Sequence, residues 1–593
     1  MKVLRIAMAQ MNPAVGDLNG NVHRILYWLG EAKKAKADLV AFPELAITGY
    51  PPEDLLLRPQ FVEDNLRALN EIIPACRGLV AVIGYVGRGD QRDSRSSQPS
   101  IGSARQHTLS NAAALIGDRR MVGSYSKRYL PNYGVFDESR YFHPGRRLPL
   151  LVVNGTTIGV NICEDIWLPQ GPTRVQATAG AEVIVNINAS PFHVGKSRSR
   201  EQMLATRARE SGVIVTYTNM VGGQDELVFD GNSVILDRSG NVIARCGAFR
   251  EELLVADLHV DAVPRRRGTH GRKRALTGKV ASIVDRLAVN MPATKKKRGR
   301  IVPGLAEPLG EVQEVYQALV LAVKDYVSKN GFRRVVIGLS GGVDSALTAA
   351  VAVDALGTTN VLGVFMPSPY TSHESEEDAV GLAQCLGIDL NVIPITPTFE
   401  AYRQSLAPSF GDREADATEE NLQARIRGNI LMAISNKFGH VVLTTGNKSE
   451  LSVGYATLYG DMAGGFAVIK DVPKTMVYDL AKFRNGRDPS PVIPKRTLDR
   501  PPSAELKPNQ KDEDTLPPYG VLDPILQAYV EEDRSFDEIV EAGFDRATVA
   551  RVMKMVDSSE FKRRQAPIGV KITPRAFGKD RRMPITNRYR SIR

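Results

Sequence analysis

Cysteine is scarce in this chain: Cys76, Cys163, Cys246 and Cys385 are all there is among 593 residues. Four scattered thiols are too few for a disulfide framework or a zinc site. A reducing cytoplasm is therefore the expected setting, and it would keep a catalytic thiol usable. Long apolar runs are missing too. None approaches the roughly 18 residues that a membrane-crossing helix needs. The opening MKVLRIAMAQMNP has no apolar core of the signal-peptide kind and reads as a first strand. No internal repeat or heptad run is visible, which argues against solenoids and coiled coils.

What is present looks globular. Hydrophobic content of 43 % and charged content of 24 % are ordinary, and the length suggests two to four domains. The net charge of +11 is concentrated. Residues 264–300 hold thirteen Lys or Arg against one acid, Asp285, and eleven more basic residues follow from Lys562 onward. Basic patches attract phosphates, whether of nucleic acid or of a small substrate. Aromatic residues for base stacking are nearly absent from 264–300, which disfavours nucleic acid.

Residues 1–261 alternate apolar runs with helical patterns. The runs IAMAQM, DLVAFPEL, VAVIGYV, TIGVNICEDI, EVIVNINAS and VIVTYTN read as strands, several of them apolar on both faces and hence covered on both. Residues 19–36 and 199–211 read as helices. Residues 90–106 lack any core-forming run and read as a surface loop. Residues 262–311 read as a basic interdomain connection with one short helix near 280–289. From 312 to 593 the pattern is strand–turn–helix, with RVVIGLS, NVLGVFMP, LNVIPI and HVVLTTGN as strands of a parallel α/β sheet.

Three strand ends in the first half each carry one reactive side chain: Glu44 in AFPELAITGY, Lys127 in YSKRYLPNYGVFDESRYF and Cys163 in GVNICEDIW. Singly, each has a bland reading as a surface acid, a turn lysine or a buried small hydrophobe. Together with their flanks over residues 3–258 they resemble the nitrilase, or carbon–nitrogen hydrolase, superfamily. That resemblance implies an α-β-β-α sandwich and a Glu–Lys–Cys triad. Attack on an amide carbon needs a thiolate, so a base must take the thiol proton. Glu44 would be that base and later the acid that protonates ammonia. Lys127 would stabilise the oxyanion, and Glu138 would orient Lys127 or the ammonia. The resemblance also implies a glutamine pocket with Tyr133, Ser190 and Lys196. Many relatives have arginine at the position of Lys196; lysine keeps the charge but loses the bidentate fork.

The strand RVVIGL runs straight into Ser340-Gly341-Gly342-Val343-Asp344-Ser345 and then a helix. Glycines let a phosphate approach the backbone amides, and the helix start offers unpaired N–H groups. No Gly-Lys-Ser/Thr follows, so this is not a Walker A loop. It resembles the loop of the N-type ATP pyrophosphatases, which split ATP between the α and β phosphates and activate a carbonyl as an adenylate. The segments ENLQARIRGNILM, LTTGNKSELSVGYATLYGDMAGG and FKRRQAPIGVKI resemble the NAD synthetases within that group. The resemblance implies ATP contacts from Gly338 and Leu339 through Ser345, with Thr445, Lys474 and Ser503. It implies Mg²⁺ on Asp344 and Glu450, and deamido-NAD on Asn421, Arg425, Glu450, Lys562 and Arg563. Leu458 and Ala467 depart from the ammonia-only relatives, which carry lysine and aspartate there, so contacts around GDMAGG do not transfer.

The expected activity is glutamine-dependent amidation of deamido-NAD, with ATP and Mg²⁺. An enclosed ammonia path is expected, because ammonia released into water becomes ammonium. A homo-oligomer is expected from the family. The rivals are another ATP-dependent glutamine amidotransferase, such as one acting on a nucleotide base, and a nucleic-acid-binding protein using the basic stretches.

Overall fold

The computed structural model describes residues 2–89, 109–260, 282–289 and 299–589. The chain divides into two compact units, Met1–Gln224 with Phe229–Leu309, and Asp225–Val228 with Gly310–Arg593. The surface loop expected at 90–106 lies outside the described residues. Among the described residues no helix is long and apolar enough to cross a membrane.

Strands β1 (Val3–Gln10), β2 (Leu39–Ala41), β3 (Val80–Arg88), β4 (Leu109–Gly117) and β5 (Arg120–Ser126) form a six-stranded sheet with β14 (Glu252–His259), in the order β14-β1-β2-β3-β4-β5. The second sheet contains β6 (Leu148–Val153), β7 (Thr156–Ile162), β8 (Val183–Asn188), β9 (Ile214–Asn219), β12 (Val234–Leu236), β13 (Val242–Arg245) and β15 (Val284–Val289). Its order is β13-β12-β9-β8-β7-β6-β15. Strands β10 (Val221–Gln224) and β11 (Leu227–Asp230) pair as a short ribbon.

Side chains alternate across a strand, and β1 shows the consequence. Leu4, Ile6 and Met8 share a core with Val160, Ile162, Val185 and Ile187 of the second sheet. Ala7 and Ala9 share another with Val22, Ile25 and Leu29 of the helix Leu18–Lys34, and with Leu69 and Ile72 of the helix Pro59–Ile72. On the far side, Ile184, Val215 and Tyr217 pack with Leu204 and Ala208 of the helix Lys196–Ser211. The layering is α-β-β-α, and burial on both faces explains the unbroken apolar runs.

One expectation is corrected here. The short helix expected near 280–289 is instead β15, paired in parallel with β6 from Val284↔Leu148 to Val289↔Val153. The strand fits because Gly117 and Gly123 leave room for it; a Cβ on either would lie 2.4 Å and 2.5 Å from the Val289 and Leu287 side chains. Part of the expected connection thus belongs to the first sandwich. Residues 262–281 and 290–298 lie outside the described residues.

The second unit is built on β16 (Val335–Leu339), β17 (Val361–Phe365), β18 (Asp389–Val392), β19 (Val441–Thr444) and β20 (Phe466–Ala467). All pairs are parallel, in the order β18-β17-β16-β19-β20. The chain therefore winds outward one way from β16 and then the other way from β19. The crevice between their carboxyl ends is where open α/β sheets take ligands.

Candidate active sites

In the first unit four segments that follow strands meet in one buried place. Glu44 follows β2, Lys127 follows β5, Cys163 follows β7 and Ala189 follows β8. The turn that carries Glu44 lies so close to β3 that a Cβ on Gly84 would sit 2.3 Å from the Pro43 carbonyl oxygen. Glycine is required there. Lys127 Nζ donates to Glu44 Oε1 and to Glu138 Oε1, at 2.7 Å each. Asn111 Nδ2 donates to Glu44 Oε1 (2.6 Å), Tyr50 OH to Glu138 Oε1 (2.9 Å) and Ala189 N to Glu44 Oε2 (2.9 Å). All three charged side chains are buried.

Cys163 opens the short helical turn Cys163–Ile166 with φ +42°, a left-handed conformation that a side chain rarely adopts. Such strain persists only where the surroundings hold it. Burial, and then the charge of Glu44, lifts the Cys163 thiol well above its usual range, while Lys127 works the other way. Burial opposes the charge on Lys127, but Glu138, Glu44 and Cys163 outweigh it and hold the ammonium well above the usual lysine range. Burial raises the Glu138 carboxyl to about 7, with Lys127 pulling it down and Glu44 pushing it up. The arrangement is a protonated thiol beside a permanent cation and a carboxylate.

The residues expected to hold glutamine lie around this place in unequal ways. Tyr133 is exposed, and its OH donates to Glu164 Oε2 at 3.0 Å, next to the nucleophile. Ser190 is buried one residue beyond Ala189, its N–H donating to Asn219 Oδ1 at 2.9 Å. Lys196 opens its helix, and its Nζ donates to the Pro191 carbonyl at 2.7 Å. Asn111, Tyr50 and Glu164 were missed by sequence reasoning. For Glu164 the signal was available, since it adjoins Cys163; for Asn111 and Tyr50 nothing local sets them apart.

In the second unit two cavities of about 270 Å³ and 170 Å³ share the crevice at the carboxyl ends of β16 and β19. Between them they are bordered by every residue expected to contact ATP: Gly338, Leu339, Ser340, Gly341, Gly342, Val343, Asp344, Ser345, Thr445, Lys474 and Ser503. The loop is braced from within, Ser345 Oγ donating to the Gly342 carbonyl (3.0 Å) and Gly342 N to Ser340 Oγ (3.2 Å). It leads into the helix Val343–Leu356.

Acidic and basic groups converge at the loop. The Lys474 ammonium pairs with Asp344 and lies 3.7 Å from Glu450. Asn447 Nδ2 donates to Asp344 Oδ1 at 3.0 Å. Burial and then Asp344 push the Glu450 carboxyl up to about 8, Lys474 pulling against them. The two acidic side chains are thus held together about one buried ammonium.

The residues expected at deamido-NAD are less gathered. Asn421 Oδ1 accepts from Thr457 Oγ1 (2.7 Å), and Thr457 borders the larger cavity. Arg425 is exposed, with Nε donating to the Leu458 carbonyl (3.3 Å). Lys562 Nζ donates to the carbonyls of Gly454 (2.7 Å) and Ala456 (2.8 Å). Arg563 is more enclosed than these. It is buried, its NH1 donates to the Ser452 carbonyl (2.6 Å), its NH2 to the Val556 carbonyl (2.7 Å), and Glu560 neutralises it at 3.0 Å. With its donors so engaged, Arg563 holds its own helix against Ser452; like Asn421, Arg425 and Lys562, it borders neither cavity. One residue was missed. Arg427 borders the larger cavity, its Nε donates to the Met366 carbonyl (3.0 Å), and burial lowers its guanidinium to about 10, with Glu505 alone pulling it up.

An amidase centre with a Glu–Lys–Cys set and an ATP-pyrophosphatase loop on one chain define an ATP-dependent amidotransferase. Comparison with known proteins narrows this. A sequence model of the carbon-nitrogen hydrolases matches residues 5–267, and one of NAD synthase matches residues 315–566. The chain is 48 % identical to the glutamine-dependent NAD(+) synthetase of Thermotoga maritima, over 100 % of both chains. It is 46 % identical to that of Aquifex aeolicus, over 99 % of this chain and 100 % of the relative. The solved glutamine-dependent NAD+ synthetase of Acinetobacter baumannii, in complex with adenosine diphosphate, aligns with a TM-score of 0.73 at 40 % identity, covering 99 % of each chain. The chain belongs to the glutamine-dependent NAD(+) synthetase family, and is an ATP-dependent carbon–nitrogen ligase.

Proposed function

We propose that Cys163 hydrolyses glutamine and that the ammonia amidates deamido-NAD, activated as an adenylate at the Ser340–Ser345 loop. The observation that carries the first half is the Lys127 ammonium, 2.7 Å from both Glu44 and Glu138 and buried beside Cys163. Glu44 takes the thiol proton as sulfur attacks the amide carbon, and returns it to the departing ammonia. Lys127 stabilises the oxyanion from a buried position, where its charge acts strongly. Glu138 balances Lys127 and, with Tyr50, fixes where its ammonium points. Tyr133, Ser190 and Lys196 hold the amino-acid end of glutamine.

In the second unit the Gly-Gly turn and the start of the helix Val343–Leu356 receive the phosphates, with Lys474 as a fixed cation. Asp344 and Glu450 fit Mg²⁺, which when bound would offset phosphate charge. Asn421, Arg425, Glu450 and Lys562 take deamido-NAD; Arg563 supports them only through Ser452. The working enzyme is a homo-oligomer in a reducing compartment. The test supplies glutamine, ATP and deamido-NAD together and measures NAD, AMP, pyrophosphate and glutamate. Equimolar NAD, AMP and pyrophosphate support the reading. AMP formed with ammonia and xanthosine monophosphate, but not with deamido-NAD, would favour the nucleotide-base rival.

A further inference from the structure

The carboxylate two residues beyond the nucleophile has no part in the chemistry above, and its position is unusual. Asp165 is fully buried in the Cys163–Ile166 turn and accepts four hydrogen bonds. Oδ2 takes the N–H of Ile162, just before the nucleophile (3.1 Å), and the OH of Tyr125 (2.6 Å). Oδ1 takes the N–H groups of Arg128 (3.1 Å) and Tyr129 (3.0 Å), the two residues directly after Lys127. One side chain thus ties the backbone on one side of Cys163 to the backbone on one side of Lys127. The two segments come from different sheets, β7 in one and β5 in the other.

We propose that Asp165 is a positioning residue for glutamine hydrolysis, setting the distance between the Cys163 sulfur and the Lys127 ammonium. Both reactive residues need such a device. Cys163 sits at a left-handed φ of +42° that its own backbone does not favour. Lys127 must place its charge where the oxyanion will form, and a shift of about 1 Å costs on the order of a hundredfold in rate. A carboxylate suits the task because both of its oxygens accept. Burial raises the Asp165 carboxyl to about 6, and the Tyr125 hydroxyl, the Ile162 and Tyr129 N–H groups and the charge of Lys127 draw it back. It is therefore an acceptor on both sides at neutral pH.

Asp165→Asn is the informative change. It keeps the shape but turns one oxygen into an NH₂ group, which then faces either Ile162 and Tyr125 or Arg128 and Tyr129. The expected result is a fall in kcat for glutamine hydrolysis of about tenfold to a hundredfold, with KM for glutamine within about twofold. Ammonia-dependent NAD synthesis on the same protein should stay at the wild-type rate. Tyr125→Phe removes a single donor and leaves the carboxylate in place, so it should lower kcat by a smaller factor. Wild-type kcat in Asp165→Asn would overturn the proposal, and so would a loss confined to KM. If Asp165→Asn fails to fold, Tyr125→Phe decides: lowered kcat at an unchanged melting temperature supports the brace, and unchanged kcat overturns it. These readouts differ from those of the proposed reaction itself, whose failure would remove the ammonia-dependent rate or the wild-type glutaminase as well.

Discussion

The charge on Glu44 has two effects on Cys163 that pull in opposite directions. As a neighbour it opposes ionisation of the thiol, which burial already opposes; as a base it removes the proton during attack. The two can be separated. With the thiol held well above its usual range, the thiolate fraction at neutral pH is small, and alkylation depends on that fraction. Alkylation of Cys163 by iodoacetamide in the free enzyme should therefore rise by about tenfold per pH unit from roughly pH 6 to 9, without a plateau. Glu44→Gln removes the charge that lifts the thiol, so alkylation at pH 7 should become faster while glutamine turnover is lost. Slower alkylation in Glu44→Gln would mean that Glu44 already takes the proton in the resting enzyme. Arg427 offers a parallel case in the other unit. A desolvated guanidinium with no carboxylate within ion-pair distance among the described residues gains most when an anionic ligand arrives. Arg427→Met should raise KM for ATP about tenfold or more, read in the ammonia-dependent assay, and leave glutaminase unchanged.

At the scale of the element, the turn between β16 and its helix carries the tightest geometric demand. Gly341 has φ +81°, and a Cβ there would lie 2.6 Å from the Ser375 carbonyl oxygen, a backbone atom that does not yield easily. Gly341→Ala should displace the loop at a local cost of about 1–2 kcal/mol from the left-handed backbone alone. NAD synthesis from ammonia should fall steeply while glutamine hydrolysis and the fold of both units persist; a variant with wild-type synthesis would show that the loop has slack. This turn was legible in the sequence because two glycines between an apolar strand and a helix leave few alternatives. Several apolar strands, among them β1, β3, β8 and β9, were legible for a related reason: burial on both faces writes an unbroken run. Other elements left weaker traces. Strand β4, LSNAAALIG, is rich in alanine, which favours helix intrinsically, and only its neighbours β3 and β5 make it a strand. Strand β15 carries Asp285 and Arg286 among its apolar residues, and its pairing with β6 decides against the helix expected there. The site shows the same division. Glu44 and Cys163 stood out because each closes an apolar run, and Lys127 through its flanking segment, since the strand before it, RMVGSYS, is not apolar. Asp165, Asn111 and Arg427 did not, since their meaning comes from partners distant in sequence. Arg563 lies in a basic run, which has the same appearance whether its charges face substrate or bind a buried carbonyl.

At the scale of the whole molecule, two chemistries share a chain, and each unit has its own core, its own sheet system and its own set of buried charged groups. If the division of labour is as proposed, single changes should remove one activity and spare the other in a crossed pattern. Cys163→Ala deletes the nucleophile and leaves Glu44, Lys127 and Asp165 in place. The thiol-to-methyl change is small, so the fold should hold. Synthesis from glutamine should vanish, and synthesis from a high concentration of ammonium salt should continue at a comparable maximal rate. Asp344→Asn does the reverse. It removes one of the two carboxylates that Lys474 bridges, so NAD formation should be lost with either nitrogen source, while glutamate should still appear when glutamine is supplied. Alanine at Cys76 or Cys246 is the matching control, because burial raises both thiols, that of Cys76 to about 12, and neither faces the Glu44–Lys127 pair. The crossed pattern is stronger than either loss alone. A Cys163→Ala protein that still uses glutamine would remove the amidase assignment, and an Asp344→Asn protein that still makes NAD from ammonia would remove the assignment of the loop. Loss of both activities in Cys163→Ala, with cooperative unfolding intact, would show that synthesis depends on the nucleophile for more than the supply of ammonia.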